Sequence, residues 1–233
     1  ALGVKLLGGH YPLEPEVSSL LIRTALERRA YVAWHAGTTK NGSNINGMIE
    51  AVKMADGYPM HLAHINAYCR GAIKDAMEET AIAIDLLKAN PNIFCESYVS
   101  PKNADTNVGG SFNINPPLPR IALAQAKRDD GSFVVDAIST DGGCIPRNVI
   151  LSQGLSLVKL DILSLSEFAQ KTSLNPARML RLANKGHLSV GADADITVYD
   201  YATQMPVASF IEGRKVLFNG ELVSKGATVI CTE

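Results

Sequence analysis

Short apolar runs alternate with segments of helical periodicity along most of the chain. The apolar runs predict strands over residues 4–7, 31–35, 60–64, 92–99 and 133–140, and the periodic segments predict helices over residues 16–29, 45–55, 70–89 and 118–127. A long loop is predicted over residues 101–119, where this periodicity is lost. Strands that each lead into a helix are typical of a parallel α/β sheet, so the sequence predicts this class for its larger part.

The last part of the chain has a different pattern. Residues 149–160 and 166–183 are predicted to be helical, and after Lys185-Gly186 the sequence becomes rich in β-branched residues and turns. Asn219-Gly220 between two apolar runs is a strong hairpin signal. We therefore predict a catalytic portion over residues 1–184 and a small all-β appendage over residues 185–233.

Composition narrows the class of protein. The chain is 46% hydrophobic and 19% charged with a formal net charge of −1, which is typical of a globular protein and gives no electrostatic signal for nucleic acid or an anionic membrane. Its four cysteines are far apart and form no C-x-x-C pair, which favours reduced thiols. The N-terminal residues do not resemble a signal peptide, and we therefore expect a cytoplasmic protein. No strand is followed by a glycine-rich nucleotide-binding fingerprint.

Polar side chains recur on the predicted strands or at their ends. Lys5 lies on the first strand, His35 and His64 end the second and third, and Asp141 follows the last. Because chemistry in (β/α) barrels collects where the strands end, the two histidines are expected to lie side by side within reach of a shared metal. Taken singly, each histidine is as well explained as an ordinary core residue, and Lys5 as a solvated or ion-paired lysine.

Several motifs resemble the amidohydrolase superfamily. Residues 171–178 (KTSLNPAR), 185–200 (KGHLSVGADADITVYD) and 216–221 (VLFNGE) are similar to the C-terminal signature of that superfamily. Residues 94–98 (FCESY) and 113–118 (NINPPL) resemble segments of the hydantoinase, dihydropyrimidinase, allantoinase and dihydroorotase group. Gly3-Val4-Lys5 followed by the His35 strand is also similar to isoaspartyl dipeptidases.

This resemblance implies a fold and a metal centre. It predicts a (β/α)8 TIM barrel, of which strands four to eight are present, with part of a β-sandwich as the appendage. It further implies that Lys5, His35, His64 and Asp141 bind two divalent ions, with zinc favoured, and that Lys5 carries a carbamate derived from CO2. Asp141 is then also the catalytic residue, which takes a proton from the metal-activated hydroxide that attacks the amide.

Four further residues are candidates for substrate contact. Tyr11 corresponds to the region from which hydantoinases direct a tyrosine at the developing oxyanion, and His10 lies in the same loop. Asn115 is expected to contact the substrate from a loop that Pro116 and Pro117 stiffen, and Cys144 to form a wall of the pocket. His61 and His187 are predicted to be structural.

Two departures from the family pattern leave alternatives open. The His-x-His motif of the first barrel strand is absent, so we expect an upstream segment to complete the barrel and the metal site, either in a longer polypeptide or in a partner chain. Asp141 is followed by Gly142-Gly143-Cys144 rather than by histidine, which resembles D-aminoacylases. The favoured activity is hydrolysis of a cyclic amide or ureide by a homo-oligomer, and the alternatives are a linear-amide hydrolase or a non-catalytic scaffold.

Overall fold

A computed structural model describes residues 2–98, 117–141 and 149–224. The chain divides into two compact units, residues 1–141 and residues 142–233. This division does not test the predicted domain boundary after residue 184, which stays a prediction.

The first unit is built on a parallel sheet with helices between its strands. The strands are β1 (Gly3–Leu7), β2 (Tyr31–His35), β3 (Met60–Leu62), β4 (Ile93–Tyr98) and β5 (Ala137–Ser139), and they are hydrogen-bonded in the order in which they occur along the chain. The helices are α1 (Pro15–Glu27), α2 (Ile45–Ala55), α3 (Ala76–Ala89) and α4 (Pro117–Gln125). The predicted parallel α/β class is thereby confirmed for this unit.

The core of this unit lies between the sheet and the helices. Leu6, Trp34, Leu62 and Cys95 alternate with the polar strand residues and are buried against helix residues such as Met48. Because successive side chains of a strand point to opposite faces, this alternation leaves the polar residues together on the other face.

Helix starts in this unit follow local capping chemistry. The Asn44 side chain accepts hydrogen bonds from the backbone N–H groups of Asn46 and Gly47, and α2 covers the predicted residues 45–55. The prediction of one helix over residues 70–89 is wrong in its first part, because α3 begins only at Ala76. Asp75 caps it through the N–H of Met77. A 3₁₀ turn (Ile65–Tyr68) precedes it.

The second unit combines short helical segments with an antiparallel sheet. A π-helical turn (Ile150–Gly154) continues into α5 (Leu155–Lys159), and α6 (Leu165–Ala169), a second π turn (Gln170–Leu174) and α7 (Asn175–Met179) form a further continuous segment. The sheet contains β6 (Ile196–Asp200), β7 (Met205–Ile211), β8 (Arg214–Phe218) and β9 (Glu221–Leu222). This sheet confirms the predicted change to β structure in the final part of the chain.

Local side-chain and turn chemistry fixes a helix start and a hairpin in this unit. Ser164 caps α6 in a reciprocal capping box with Glu167. Asn219 and Gly220 both have positive φ, +51° and +82°, as a tight β8–β9 hairpin requires. The hairpin is thereby confirmed.

Candidate metal and catalytic site

The polar face of the parallel sheet carries the candidate site. Lys5 on β1 and His61 on β3 both stand in register with Ala33 of β2, so these positions lie side by side across the sheet. His35 is two residues beyond Ala33, and Glu96 on β4 is two residues beyond the partner of His61. The period-two alternation of strands places all these side chains on one face.

The His35 imidazole is fixed by its neighbours. Its Nε2 lies 2.7 Å from the Ser43 hydroxyl, and the Tyr68 ring meets it edge-on with ring centroids 5.8 Å apart. Gly9 allows the loop after β1 to approach this ring, because a Cβ at that position would lie 2.5 Å from Nε2 of His35. Burial, together with the charges of His64 and Lys5, lowers the pKa of His35 to about 3, so the imidazole is neutral at physiological pH.

Tyr68 also ties together the ends of the two histidine strands. Its buried hydroxyl accepts a hydrogen bond from the Ala36 N–H at 2.6 Å and donates one to the Ala63 carbonyl at 2.9 Å. Ala36 follows β2, and Ala63 follows β3. The single hydroxyl therefore fixes the spacing of the segments that carry His35 and His64.

His64 lies beyond the end of its strand. The sequence predicts that the third strand runs to His64, but β3 ends at Leu62 and His64 has left-handed backbone angles, φ 49° and ψ 59°. The His64 and His35 rings are nevertheless adjacent, with centroids 5.2 Å apart. The structure thus brings the two histidines together as their strand positions suggested.

Glu96 is the hydrogen-bond partner of His64. Its Oε1 lies 2.9 Å from Nδ1 and 2.8 Å from the backbone N of His64, and its Oε2 accepts a hydrogen bond from Ser139. Burial alone would raise the pKa of this carboxyl group, but His64, His61 and Ser139 outweigh it and lower the pKa to about 2. Glu96 is therefore an ionised carboxylate in a buried position.

Asp141 approaches the other nitrogen of the same ring. Its Oδ1 lies 3.3 Å from Nε2 of His64, and its side chain remains partly exposed. Like His64, Asp141 has a left-handed backbone, with φ at 44°. Burial raises the pKa of Asp141, and the Glu96 charge adds to this effect, while His64 and Lys5 oppose it.

Lys5 and His61 complete the polar face. Although Lys5 is exposed, the protein atoms around its ammonium group lower its pKa by desolvation, against the opposing charges of Glu96 and Asp141. Burial lowers the pKa of His61 to about 4, and its Nε2 lies 3.9 Å from Oε1 of Glu96. Within the described residues, that buried nitrogen has no hydrogen-bond partner.

The candidates for substrate contact are only partly placed. The His10 ring centroid lies 6.5 Å from that of His35, at the same end of the sheet. Tyr11 is 74% exposed in the loop after β1. Asn115 and Cys144 lie outside the described residues. The substrate roles of all four residues stay predictions, as do the metal roles of Lys5, His35, His64 and Asp141.

Sequence reasoning missed the part that Glu96 plays in this site. The residue belongs to the FCESY segment that carries part of the family resemblance, but no role followed from that resemblance. A usable signal was present, because Glu96 occupies a strand position between buried neighbours, where a carboxylate cannot be left unpaired.

Imidazole nitrogens and carboxylate oxygens are atoms that divalent ions bind, and one pair of them at this site also has a suitable separation. Two ligand atoms about 2.05 Å from a tetrahedral zinc ion lie roughly 3.3 Å apart. This matches the separation of His64 Nε2 and Asp141 Oδ1, which is 3.3 Å. In the part of the chain that the structure describes, no three His, Cys, Asp or Glu side chains are placed to hold one ion. His64 and Asp141 therefore fit an ion as two of its ligands.

Comparison with known proteins places the chain in a family. A model of the amidohydrolase family matches residues 21–223, so the chain belongs to this family. It is 32% identical to the dihydroorotase of Syntrophus aciditrophicus (strain SB) over 167 residues, which are 61% of this chain and 36% of that protein. The chain thus spans about a third of the length of this relative.

Solved structures share the fold at low identity. The L-hydantoinase (dihydropyrimidinase) from Arthrobacter aurescens matches with a TM-score of 0.63 at 14% identity, over 96% of this chain and 65% of that one. The β-aspartyl dipeptidase of Fervidobacterium islandicum AW-1 matches with a TM-score of 0.64 at 17% identity, over 97% and 59%. Identities this low indicate a shared fold only. No helix within residues 2–98, 117–141 and 149–224 is long and apolar enough to cross a membrane.

Proposed function

We propose that the protein hydrolyses a C–N bond of a cyclic amide or ureide in a metal-dependent reaction. The observation that carries this proposal is the convergence of His35, His64 and Asp141 at one end of a parallel sheet in an amidohydrolase. Similarity to dihydroorotases favours a ring as the substrate.

The proposed metal centre comprises two divalent ions, with zinc favoured, held by Lys5, His35, His64 and Asp141. When bound, such ions polarise a carbonyl group and lower the pKa of a water molecule. Lys5 is proposed to act as a carbamate: its neutral amine adds to CO2, forms an N–C bond and loses one proton. The lowered pKa of Lys5 supports this step because it increases the fraction of neutral amine.

The protein's own groups then orient the substrate and move protons. Asp141 accepts a proton from the attacking water and passes it to the leaving nitrogen. His35 stays neutral and is held by Ser43 and Tyr68, so its ring orientation is set before any ligand binds. His10, Tyr11, Asn115 and Cys144 are proposed to contact the substrate.

The proposed active form contains more than the described sheet. Five parallel strands in sequential order are consistent with one part of a closed eight-stranded barrel. We propose that an upstream segment supplies the remaining strands and the missing His-x-His ligands, that the chain forms a homo-oligomer, and that residues 185–233 belong to a β-sandwich.

A panel of substrates tests the proposed reaction. Protein expressed with any adjoining upstream sequence is incubated with Zn²⁺ and with hydantoins, dihydropyrimidines and dihydroorotate, and separately with N-acyl amino acids and isoaspartyl dipeptides. Opening a ring gives one product, whereas cleaving a linear amide gives two. We expect turnover of at least one cyclic substrate, and turnover of linear amides alone would contradict the proposal.

Hydrolysis of a linear amide is the second candidate. Gly142-Gly143-Cys144 after the catalytic aspartate favours it, because this segment resembles D-aminoacylases rather than hydantoinases. Elemental analysis tests both hydrolases against the scaffold alternative. About two divalent ions per chain are expected in protein with the upstream sequence, and absence of bound metal with and without that sequence would favour a scaffold.

A further inference from the structure

Glu96 holds both the main chain and the ring of His64. One carboxylate oxygen, Oε1, accepts from the His64 backbone N at 2.8 Å and lies 2.9 Å from its Nδ1. The other oxygen, Oε2, accepts a hydrogen bond from the Ser139 hydroxyl. The Glu96 side chain is 8% exposed and is held by these contacts, so it is itself fixed in position.

This contact coincides with an unusual backbone conformation. His64 has φ 49° and ψ 59°, left-handed angles that carry an energetic cost for a residue with a Cβ. The two hydrogen bonds to Glu96 compensate for this cost. They also anchor the residue at two points, so the ring has little freedom to turn away from the sheet end.

The chemistry of the contact determines the tautomer of His64. Oε1 of Glu96 already accepts the His64 backbone N–H, so this oxygen acts as an acceptor, and Nδ1 of His64 carries the proton that it donates to Glu96. In the neutral ring, Nε2 then bears a lone pair. That nitrogen is the one that lies 3.3 Å from Asp141 Oδ1, at the proposed metal position.

We propose that Glu96 is a positioning residue that fixes His64 as its Nδ1–H tautomer and aims the Nε2 lone pair at the ligand position beside Asp141. The Ser139 hydroxyl holds the Glu96 carboxylate in place by donating a hydrogen bond to Oε2. The tautomer follows from the contacts alone, whereas its use as a metal ligand rests on the proposed function.

A neighbouring histidine does not replace His64 in this contact. His61 Nε2 lies 3.9 Å from the same Oε1, beyond hydrogen-bond distance. His64 instead contacts the carboxylate through two nitrogen atoms, both within 3 Å. The Glu96 carboxylate therefore holds His64 through hydrogen bonds, whereas it acts on His61 through its charge only.

The tautomer can be measured directly by NMR on the protein labelled with ¹⁵N at histidine. Ring nitrogens with and without a proton have well-separated ¹⁵N shifts, and the His64 signals are assigned through its backbone amide. The measurement is made without metal, at a pH above the ordinary histidine range. We expect Nδ1 to be protonated whether or not Nε2 also carries a proton beside Asp141, and an unprotonated Nδ1 in the wild-type protein would overturn the proposal.

Three variants separate positioning from general support of the fold. Glu96→Ala is expected to abolish the preference for Nδ1–H and to weaken Zn²⁺ binding by about 10–100-fold. Glu96→Gln is expected to keep the tautomer, because an amide oxygen can still accept from both nitrogens. Glu79→Ala removes another buried carboxylate that accepts backbone N–H groups, and it should leave the His64 shifts unchanged.

The outcomes distinguish this proposal from the proposed function. An unchanged His64 tautomer in Glu96→Ala would overturn the positioning role, even in a protein that hydrolyses amides. The expected tautomer in a protein that binds no Zn²⁺ and turns over no substrate would support the positioning role and reject the hydrolase. If Glu96→Ala does not fold, the wild-type spectrum and the Glu96→Gln variant still test the assignment.

Discussion

The side chains of His64 and Asp141 are in contact at one end of the parallel sheet, with His64 Nε2 3.3 Å from Asp141 Oδ1. Both residues have left-handed backbones just beyond the ends of β3 and β5. Strained conformations of this kind persist where the surrounding structure imposes them, and they cluster at functional sites. The pair is thus the part of the candidate site whose chemistry is best tested by substitution.

Under the proposed mechanism, replacing Asp141 by Asn is expected to remove most of the catalytic activity while leaving much of the metal bound. Asparagine keeps the size and one ligand oxygen but cannot accept the proton from water. Loss of a general base of this kind lowers the rate by about 10²–10⁴-fold. The measurement is kcat on the best cyclic substrate, with metal content determined on the same sample.

Asp130 provides the matched control for this substitution. It lies in the same unit, is exposed, and accepts hydrogen bonds from Ser132 in a turn. Asp130→Asn should leave both kcat and metal content unchanged. An Asp141→Asn protein as active as this control would reject Asp141 as the catalytic residue.

Replacing Tyr68 by Phe is expected to destabilise the first unit. The substitution leaves the Ala36 N–H and the Ala63 carbonyl without their shared buried partner, which costs about 1–3 kcal/mol of unfolding free energy. Urea unfolding measures the difference. Tyr58→Phe, at a position that is 50% exposed, should change stability by less than about 0.5 kcal/mol. Equal stability of the two variants would contradict the structural role of the Tyr68 hydroxyl.

The sequence predicted the strands and helices of the first unit because their periodicity is strong and local. Apolar alternation in β2 and the Asn44 cap of α2 each act within a few residues, so they can be read from neighbouring positions. The side-by-side placement of His35 and His64 also followed, because parallel strands end at a common edge.

Features that depend on residues far apart in sequence were not predicted. The strand β3 ends before His64 because the backbone N–H and the ring of His64 are hydrogen-bonded to Glu96, which lies 32 residues further along the chain. The segment before α3 is also not helical, but for a local reason. Gly71 has φ at 81°, and the buried Glu79, five to eight residues further on, accepts hydrogen bonds from the N–H groups of this segment. Periodicity carries no information about such long-range hydrogen bonds or about left-handed residues.

The buried thiols are expected to be unreactive in the native protein. Burial raises the pKa of Cys69 to about 12, against the opposing effect of a hydrogen bond with Thr80. At pH 8 almost all of Cys69 is then the thiol, whereas the thiolate is the form that reacts. Cys95 is also buried and donates from Sγ to the Val134 carbonyl at 3.4 Å.

Alkylation with iodoacetamide followed by peptide mass spectrometry checks this prediction for each cysteine separately. Cys69 and Cys95 should remain unmodified in buffer and react fully in concentrated guanidinium chloride. Rapid labelling of Cys69 under native conditions would show that its environment is more open than the structure indicates.

The buried carboxylate of Glu79 organises the loop before α3 and gives a sharp test of the fold. It accepts hydrogen bonds from the N–H groups of Gly71, Ile73 and Lys74 at 2.7, 2.8 and 3.1 Å. Glu79→Ala leaves these donors unpaired and is expected to lower the free energy of unfolding by roughly 2–4 kcal/mol. Urea unfolding followed by circular dichroism provides the measurement.

Glu78 is the control for Glu79, because it is the adjacent residue with the same side chain in a different environment. Its carboxylate pairs with Lys74 at the surface, where the two side chains are 46% and 52% exposed. Exposed pairs of this kind contribute little, so Glu78→Ala should change stability by less than about 1 kcal/mol. Similar losses in the two variants would mean that the loop is held by the surface pair rather than by the buried carboxylate.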